Sequence, residues 1–387
     1  MSSIGQRVAQ VAGMFSSGKS PDELPWDPDN TKLPLRKDLP KVPGAPEGAA
    51  WVWGKDDYVG GMDFYKSDPD LSLRILTNPF SLQIGRLNLL TPTRVKAASS
   101  EIKTGEVVPL DLPLNVPEQP AFGRERFVHK IKTLTDGIAY DDQYELNTQS
   151  GTQWDGFRHF AHIPTQTFYN GTKAADIIGP NANHKCSIHH WAEHGIAGRG
   201  VLLDYRAYAK ANGINYDPYS SHAITFDELQ KCGKAQGIDI RPQSQGGDIK
   251  PGDLLLIRSG FVENYHERSP EERTALALRG HGTGDEIEGQ MFAGVAQEEA
   301  VVDWLHDCYF AGVGGDAPAF ECWPTAETYY LHEYILALWG MPLGEMWNLE
   351  RLAEKCREQG RWFFFLTSAP ANVPAGVSSH ANATAIF

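Results

Sequence analysis

The amino-acid sequence predicts a mixed α/β fold in which short buried strands alternate with amphipathic helices. Two patterns indicate this class: apolar runs bounded by glycine or charged residues, and helix-start signals between those runs. A third observation is the length, since 387 residues can bury one large core. We therefore divide the chain into an extended, proline-rich N-terminal arm over residues 1–50 and one main domain over residues 51–387.

Four apolar segments are predicted to be buried strands of a central sheet. Each is short, and each ends at glycine or at a charged residue, which is typical of strands covered on both faces. They span residues 199–205, 253–258, 310–315 and 363–366.

Helix-start signals stand between these strands. Thr225 and Glu228 form a capping box for a helix that Gly237 can close. Ser269 and Glu272 repeat the device, with proline at the first helical position. Further helices are predicted over residues 297–307, over residues 326–339, and from an Asn348 cap to Gly360.

Composition excludes several classes of partner. The formal net charge of −14 argues against nucleic acid, whose binding needs a basic surface. No apolar run reaches the roughly 18 residues needed to cross a bilayer, so we expect no membrane partner. Five scattered cysteines without a C-x-x-C pair are typical of reduced thiols. We expect a cytoplasmic protein that acts on a small molecule.

The segment NTQSGTQWDGFRHFAH, residues 147–162, carries the strongest chemical signal. On an extended backbone, alternate side chains share one face, so Gln149, Gln153 and Asp155 would converge, with His159 a turn further on. A carboxylate and a nearby histidine form a minimal acid–base pair. A buried Asp–His hydrogen bond with a structural role is the alternative interpretation of the same spacing.

This segment resembles the signature H-x-G-T-H-x-D-x-P-x-H of the cyclase family, which includes bacterial kynurenine formamidases and isatin hydrolases. Gly151, Thr152, Asp155 and His159 match it. The resemblance continues in order through RGVLLDY (199–205), PGDLLLIRSGF (251–261), FAGVGGDAPAFE (310–321), LHEYILALWGMPLGEMWNLE (331–350) and a closing FLTSAP. It implies the family's swivelling β/β/α fold, in which helices flank a barrel-like mixed sheet.

The resemblance also implies roles for individual residues. In the family, the signature supplies three metal ligands and a separate histidine that acts as general acid or base. Asp155 matches a ligand and His159 matches the acid–base histidine. A downstream histidine and glutamate complete a second metal position in two-metal members. Here His332 and Glu345 are the candidates, with Glu333 as a competing carboxylate. Family members assemble as dimers or tetramers, so we expect a homodimer or homotetramer.

Gln149 and Gln153 stand where the family has two histidine ligands. A carboxamide oxygen is a poor ligand for zinc, so two interpretations stay open. In the first, a divalent cation such as manganese, magnesium or zinc is held loosely by Asp155, the glutamine oxygens, His332, Glu345 and water. In the second, which we favour, no metal binds, and the glutamine amides donate hydrogen bonds to a substrate carbonyl or oxyanion.

Aromatic residues around the motif predict a flat, apolar pocket. Trp154, Phe160 and Phe157, which replaces the family's proline, are the candidate walls, and His332 and Glu345 are candidate substrate contacts. Such a pocket favours a small molecule with a ring and a carbonyl group.

A second group of histidines lies at His184, His189, His190 and His194. On a helix, positions 190 and 194 would share one face, as in some zinc sites. A hydrogen-bonded cluster beneath a loop-rich cover is the interpretation we favour over a metal role. The glycine-rich stretch 280–286 is predicted to be a turn at the edge of the pocket.

The sequence therefore predicts a cyclase-family enzyme that hydrolyses an amide, lactone or lactam bond of a cyclic or aromatic carbonyl compound. His159 would act as general acid or base, Asp155 would orient or ligate, and Gln149 and Gln153 would position the carbonyl. Two alternatives remain: a metal-independent cyclase, dehydratase or isomerase of secondary metabolism, and a non-catalytic family member that binds a ligand.

Overall fold

The computed structural model describes residues 27–30, 33–53, 84–281 and 289–387. Much of the predicted arm and most of the turn over residues 280–286 lie outside these ranges. The described part of the arm packs against the body. Arg36 pairs with Glu299 at 2.7 Å and with Asp303 at 2.8 Å, and the Ala50 backbone N–H donates to the Leu338 carbonyl at 2.8 Å.

A curled, nine-stranded mixed sheet forms the centre of the molecule. The described residues contain thirteen strands, nine of which form this sheet. They are β1 (Val107–Pro109), β2 (Val128–Thr135), β3 (Ala139–Glu145), β4 (Gln153–Asp155), β5 (Ile196–Leu203), β6 (Ala223–Ile224), β7 (Leu254–Ile257), β8 (Gly294–Val295), β9 (Gly312–Gly315), β10 (Leu343–Glu345), β11 (Phe363–Ser368), β12 (Ser378–His380) and β13 (Ala383–Ile386). The sheet order is β1-β13-β11-β5-β7-β9-β10-β4-β12. Strands β5, β7, β9 and β10 are parallel, and the other neighbours are antiparallel.

Helices cover this sheet, which confirms the predicted α/β class. The α-helices are α1 (Pro92–Ala98), α2 (Ala174–Ile177), α3 (His189–His194), α4 (Tyr205–Ala211), α5 (Phe226–Ala235), α6 (Phe261–Glu267), α7 (Pro270–Ala277), α8 (Glu299–Asp307) and α9 (Glu350–Gln359). Short 3-10 turns occur at Arg36–Asp38, Gly85–Leu89, Ser99–Glu101, Ile163–Thr165, Tyr169–Gly171 and Gln243–Gln245. The two predicted capping boxes are present at the starts of α5 and α7.

All four predicted strands are present as β5, β7, β9 and β11. Strand β7 is buried at every position because the sheet is covered on both faces there. Two short pairs lie outside the central sheet: β6 with β8, and β2 with β3. The β2–β3 ribbon is exposed along nearly its whole length.

The prediction of a helix over residues 326–339 is wrong for its first five residues. Residues 326–330 form bends and a loop, the helix begins at Leu331, and Glu333–Leu338 is a π-helical turn. The Glu321 carboxylate accepts hydrogen bonds from the backbone N–H groups of Leu331 (2.7 Å) and His332 (2.9 Å). These are the unpaired donors of a helix start, so a distant side chain fixes where this helix begins.

The last helix also starts differently from the prediction. Leu349, and not Asn348, is the N-cap of α9, and the Asn348 backbone N–H donates to the Leu110 carbonyl at 2.8 Å. Its predicted end is confirmed, since Gly360 is left-handed at φ 61°.

Candidate functional site

The site is built on β4 and on the turns that precede it. Strand β4 lies between β10 and β12, and its register places Gln153 opposite Glu345. Because side chains alternate along a strand, Gln153 and Asp155 share one face. Residues 147–152 form turns, not the expected extended segment. Gln149 nevertheless reaches Asp155, so the predicted convergence is present by a different backbone route.

A buried hydrogen-bond network joins these four side chains. The Gln149 amide donates to Asp155 Oδ1. The Gln153 amide donates to Gln149 Oε1 at 2.8 Å, to Asp155 Oδ1 at 3.3 Å and to Glu345 Oε2 at 2.8 Å. The hydrogens of the Gln153 amide are therefore used within this network of protein side chains. This arrangement does not present Gln153 as the carbonyl donor that the sequence predicts.

His332 lies among three carboxylates. Its Nδ1 is 2.6 Å from Glu321 Oε1, and its Nε2 is 3.2 Å from Glu345 Oε1 and 3.7 Å from Asp155 Oδ2. Burial alone would lower the pKa of His332, but the three neighbouring carboxylates raise it well above the ordinary value. The structure thus brings the predicted downstream pair, His332 and Glu345, to Asp155.

His159 is the second imidazole of the site. Its Nε2 is 3.9 Å from Asp155 Oδ2, and 22% of its side chain is exposed. Burial lowers the pKa of His159, and the Asp155 charge only partly offsets this effect, so the ring is neutral at neutral pH. The His159 and His332 ring centroids are 6.4 Å apart. One carboxylate therefore faces two imidazoles whose pKa values are shifted in opposite directions.

The two central carboxyl groups also differ. Burial would raise the pKa of Asp155, yet the neighbouring His159 and His332 lower it. Burial and the Asp155 charge together raise the pKa of Glu345. Asp155 is therefore the carboxylate that holds its negative charge most firmly.

The donor set fits a divalent cation. Among the described residues, Asp155 Oδ2 and Gln153 Oε1 are buried acceptors without a hydrogen-bond partner. Ligand atoms of Asp155, His332 and Glu345 lie within 4.8 Å of one another. Carboxylate and amide oxygens with one imidazole suit manganese or magnesium better than zinc. The expectation that the site works without metal stays a prediction.

Two predicted pocket walls lie in the hydrophobic core. Trp154 and Phe157 are fully buried. Trp154 points to the opposite face of β4 from Asp155, where it packs edge-to-face on Trp191, and Phe157 packs on the same Trp191. Strand alternation places Trp154 there. Both residues stabilise the core beneath the site, and their full burial leaves them no surface with which to contact a substrate.

The aromatic wall beside the site is made of other residues. The Phe160 ring, the third predicted wall, is 5.3 Å from the His332 ring and 5.6 Å from the Tyr330 ring. Trp323 stacks on Tyr330 at 5.7 Å, and Phe122 contacts Trp323 at 5.2 Å. These four aromatic rings, unlike the His332 ring, are partly exposed, so they form a continuous apolar edge next to the site. Glu333, the competing carboxylate, instead accepts backbone hydrogen bonds from residues 163 and 330.

Glu321 is a site residue that sequence reasoning missed. Its carboxylate holds His332 and also accepts from the Gln297 amide at 2.7 Å. Glu321 is the last residue of the family-like segment over residues 310–321, and this position was the only indication of its role in the sequence. The hydrogen bond to His332 depends on tertiary structure that no spacing rule encodes.

Arg124 is the second residue that was missed. Its guanidinium donates to the Gln149 carbonyl at 2.8 Å and lies over the Phe122 ring at 5.0 Å. Its charge contributes to the lowered pKa of His159 and opposes the rise in the pKa of Glu345. Arg124 is therefore a positive charge at the edge of a site that is otherwise rich in carboxylates.

The second histidine group folds differently from its predicted spacing. His190 and His194 do lie on one helix, α3, but His194 Nδ1 contacts the Gly195 carbonyl at 2.6 Å. The side chains that come together are His189, His190 and Glu193. Burial lowers the pKa of His190 to about 4, so this ring is neutral.

Within the ranges that the structure describes, no helix is both long enough and apolar enough to span a bilayer. All five cysteines are buried and none forms a disulfide, which agrees with the reduced thiols that the sequence predicts.

Comparisons with known proteins agree with the fold. No curated protein sequence matches the chain. The crystal structure of a novel cyclase is similar, with a TM-score of 0.65 and 28% identity over 79% of this chain and 96% of that one. Isatin hydrolase A from Ralstonia solanacearum has a TM-score of 0.48 and 18% identity, over 73% and 92% of the two chains. An isatin hydrolase bound to the product analogue thioisatinate has a TM-score of 0.49 and 15% identity, over 76% and 95%.

A family model shows which family the chain belongs to. A family model described as "Putative cyclase" matches residues 70–322, which is more than half of the chain. This range contains the signature-like segment and the strands β4, β5, β7 and β9. The chain belongs to the cyclase family.

Proposed function

We propose that this chain is an enzyme that hydrolyses an amide, lactone or lactam bond of a cyclic or aromatic carbonyl compound. The observation that carries the proposal is the position of His159. This partly exposed, neutral imidazole lies beside the buried carboxylate of Asp155 and next to the aromatic edge. A neutral imidazole with a carboxylate partner is the arrangement that general acid–base catalysis requires.

The proposed chemistry uses His159 twice. As a base, it takes a proton from water while the water oxygen forms a bond to the substrate carbonyl carbon. As an acid, it then returns the proton to the nitrogen or oxygen that leaves when the acyl bond breaks. Asp155, 3.9 Å away, stabilises the imidazolium formed between the two steps. The two steps together consume one water molecule for each acyl bond that is cleaved, and His159 ends in its starting protonation state.

The charge that develops on the carbonyl oxygen needs a positive partner. Asp155, Gln153, His332 and Glu345 would hold a divalent cation, which when bound supplies Lewis acidity at the carbonyl oxygen. Arg124 is a further positive charge at the site edge. Because the Gln153 amide donates to Gln149 Oε1 and Glu345 Oε2, and the Gln149 amide donates to Asp155 Oδ1, we assign both glutamines to holding Asp155 and Glu345 in place.

The aromatic edge supports a ring-bearing substrate. Phe160, Tyr330, Trp323 and Phe122 form a series of contacting rings that begins at His332. Aromatic side chains bind flat substrates through offset or edge-to-face contacts. A ring lying against Phe160 would have a carbonyl substituent within reach of the centre.

The test is a hydrolysis screen of cyclic imides, lactams, lactones and N-acyl aromatic amines, with oxygen-18 water as solvent. We expect label in the carboxyl group of the product. His159→Ala should abolish turnover, and His162→Ala, three residues further along, should retain it. Label-free turnover would instead support an isomerase or cyclase. Tight binding of many carbonyl compounds without any turnover would support a binding protein.

A further inference from the structure

A second cluster of ligand-type side chains lies outside the proposed catalytic site. We call it the α3 histidine cluster, and it consists of His184, His189, His190 and Glu193. The His189 and His190 rings are 3.9 Å apart, and the His184 ring is 5.2 Å from the His189 ring. Donor atoms of His189, His190 and Glu193 lie within 4.8 Å of one another. Two imidazoles and a carboxylate are a common ligand set for zinc.

His190 presents an unprotonated nitrogen to this cluster. Its Nε2 is 3.1 Å from the His184 carbonyl, an acceptor, so the ring hydrogen resides on Nε2. The other nitrogen, Nδ1, is buried, has no hydrogen-bond partner and lies 3.9 Å from Glu193 Oε2. A histidine that donates one N–H to a backbone carbonyl and leaves the other nitrogen free is oriented as metal-ligating histidines are.

His189 is held in a similar way. Its Nδ1 is 2.8 Å from Ser187 Oγ, and that hydroxyl donates to the Gly376 carbonyl at 3.2 Å. Since the hydroxyl hydrogen is used by Gly376, the His189 hydrogen resides on Nδ1, and Nε2 keeps its lone pair. Each imidazole of the pair therefore has one nitrogen fixed by the protein and one nitrogen that can bind an ion.

We propose that His189, His190 and Glu193 bind a transition-metal ion of the zinc type at a site separate from Asp155. His184 is exposed and close enough to His189 to supply a fourth ligand. The positive charge of Arg158 would repel a bound cation. The same charge contributes to lowering the pKa of both His189 and His190. Its guanidinium is nevertheless engaged with the carbonyls of residues 183, 185 and 375.

The ion would have a structural role. Between the two ligand positions, Trp191 packs on Trp154 and on Phe157. Ion binding would therefore fix α3 against the core that lies directly under Gln153 and Asp155. It would also tie down the loop around His184, which contains no strand and lies on the surface.

The experiment measures zinc bound to the full chain in an Asp155→Asn background, which removes the other candidate centre. The protein is treated with chelator, dialysed, and titrated with Zn²⁺ and, separately, with Co²⁺. We expect about one ion per chain, with cobalt absorption bands typical of four-coordinate sites. His190→Ala and Glu193→Gln should each lower zinc affinity at least about 10-fold, and Ser187→Ala about 10- to 100-fold.

His194→Ala is the matched control, since this residue lies on the same helix but outside the cluster, and it should bind zinc normally. Glu193 is exposed, so Glu193→Gln tests the site even if His190→Ala does not fold. Absence of zinc binding in the Asp155→Asn chain would overturn the proposal. Unchanged affinity in the Glu193→Gln and His190→Ala chains would overturn it as well.

Discussion

His159 and His332 have the same side chain, and their surroundings give it opposite properties. His332 has three carboxylate partners that outweigh burial, whereas His159 has one carboxylate at 3.9 Å that does not. Titratable groups with pKa values shifted in opposite directions mark acid–base sites. The sequence identified both histidines as candidates. It could not assign their charge states, because these depend on Glu321 and on burial.

Replacement of His159 tests its role most directly. We expect His159→Gln to reduce kcat by about 10²- to 10⁴-fold with little change in KM, because the amide cannot exchange a proton. Steady-state kinetics on the substrate found in the screen would measure this loss. A His159→Gln enzyme with near-normal kcat would show that another group moves the proton.

The lowered pKa of His159 predicts a pH profile. A base must be unprotonated, and a group is unprotonated above its pKa. Since burial lowers this pKa below its ordinary value of about 6.5, the acid limb of kcat/KM should fall below pH 6.5. The measurement is kcat/KM from pH 4 to 9. An acid limb above pH 7 would contradict the assignment of His159 as the base.

At the scale of elements, short strands and helix ends decide whether the site forms. The capping boxes of α5 and α7 could be predicted because all their partners are local in sequence. The start of the helix that carries His332 could not be predicted, because its cap is the Glu321 side chain ten residues before Leu331. The prediction that Trp154 forms a pocket wall is wrong for a related reason. The motif identifies the residues near the site, but strand alternation decides which of their side chains face it.

Glu321 should therefore be important to both stability and the site. Its carboxylate accepts hydrogen bonds from His332 and from two backbone N–H groups. We expect Glu321→Gln to lower the free energy of unfolding by about 1.5–3 kcal/mol, the typical effect of a lost hydrogen bond to a charged group. Urea denaturation measures it, with the exposed Glu327→Gln as control. Equal stability of the two variants would contradict this role.

At the scale of the whole molecule, the sequence predicts the α/β class and four buried strands, but not the order of the strands in the sheet. The predicted homodimer or homotetramer stays a prediction. The exposed β2–β3 ribbon offers apolar surface that a partner copy could bury, since Ile131 on β2 and Ile138 in the connecting turn are 67% and 81% exposed. We expect Ile138→Lys to shift the molecular mass in light scattering towards the monomer, whereas Lys132→Ala, on the same ribbon, should leave it unchanged. A monomeric wild type would refute this expectation.

The charge of the proposed catalytic site is also a property of the whole fold, because β4, β10 and the helix that begins at Leu331 each contribute to it. Buried carboxylates with an unpaired oxygen are costly unless a cation is near, so we expect Mn²⁺ to bind there and to stabilise the folded chain. At 100 times its Kd, binding would add about 2.7 kcal/mol to the free energy of unfolding.

Thermal denaturation of chelator-treated protein, with and without Mn²⁺, measures the effect. Asp155→Asn should abolish it, while Asp141→Asn on the exposed ribbon should not. If Mn²⁺ leaves the wild-type Tm unchanged and metal analysis finds no ion, the proton on His332 is the cation of this site, and the glutamines have replaced a metal centre as the sequence predicts.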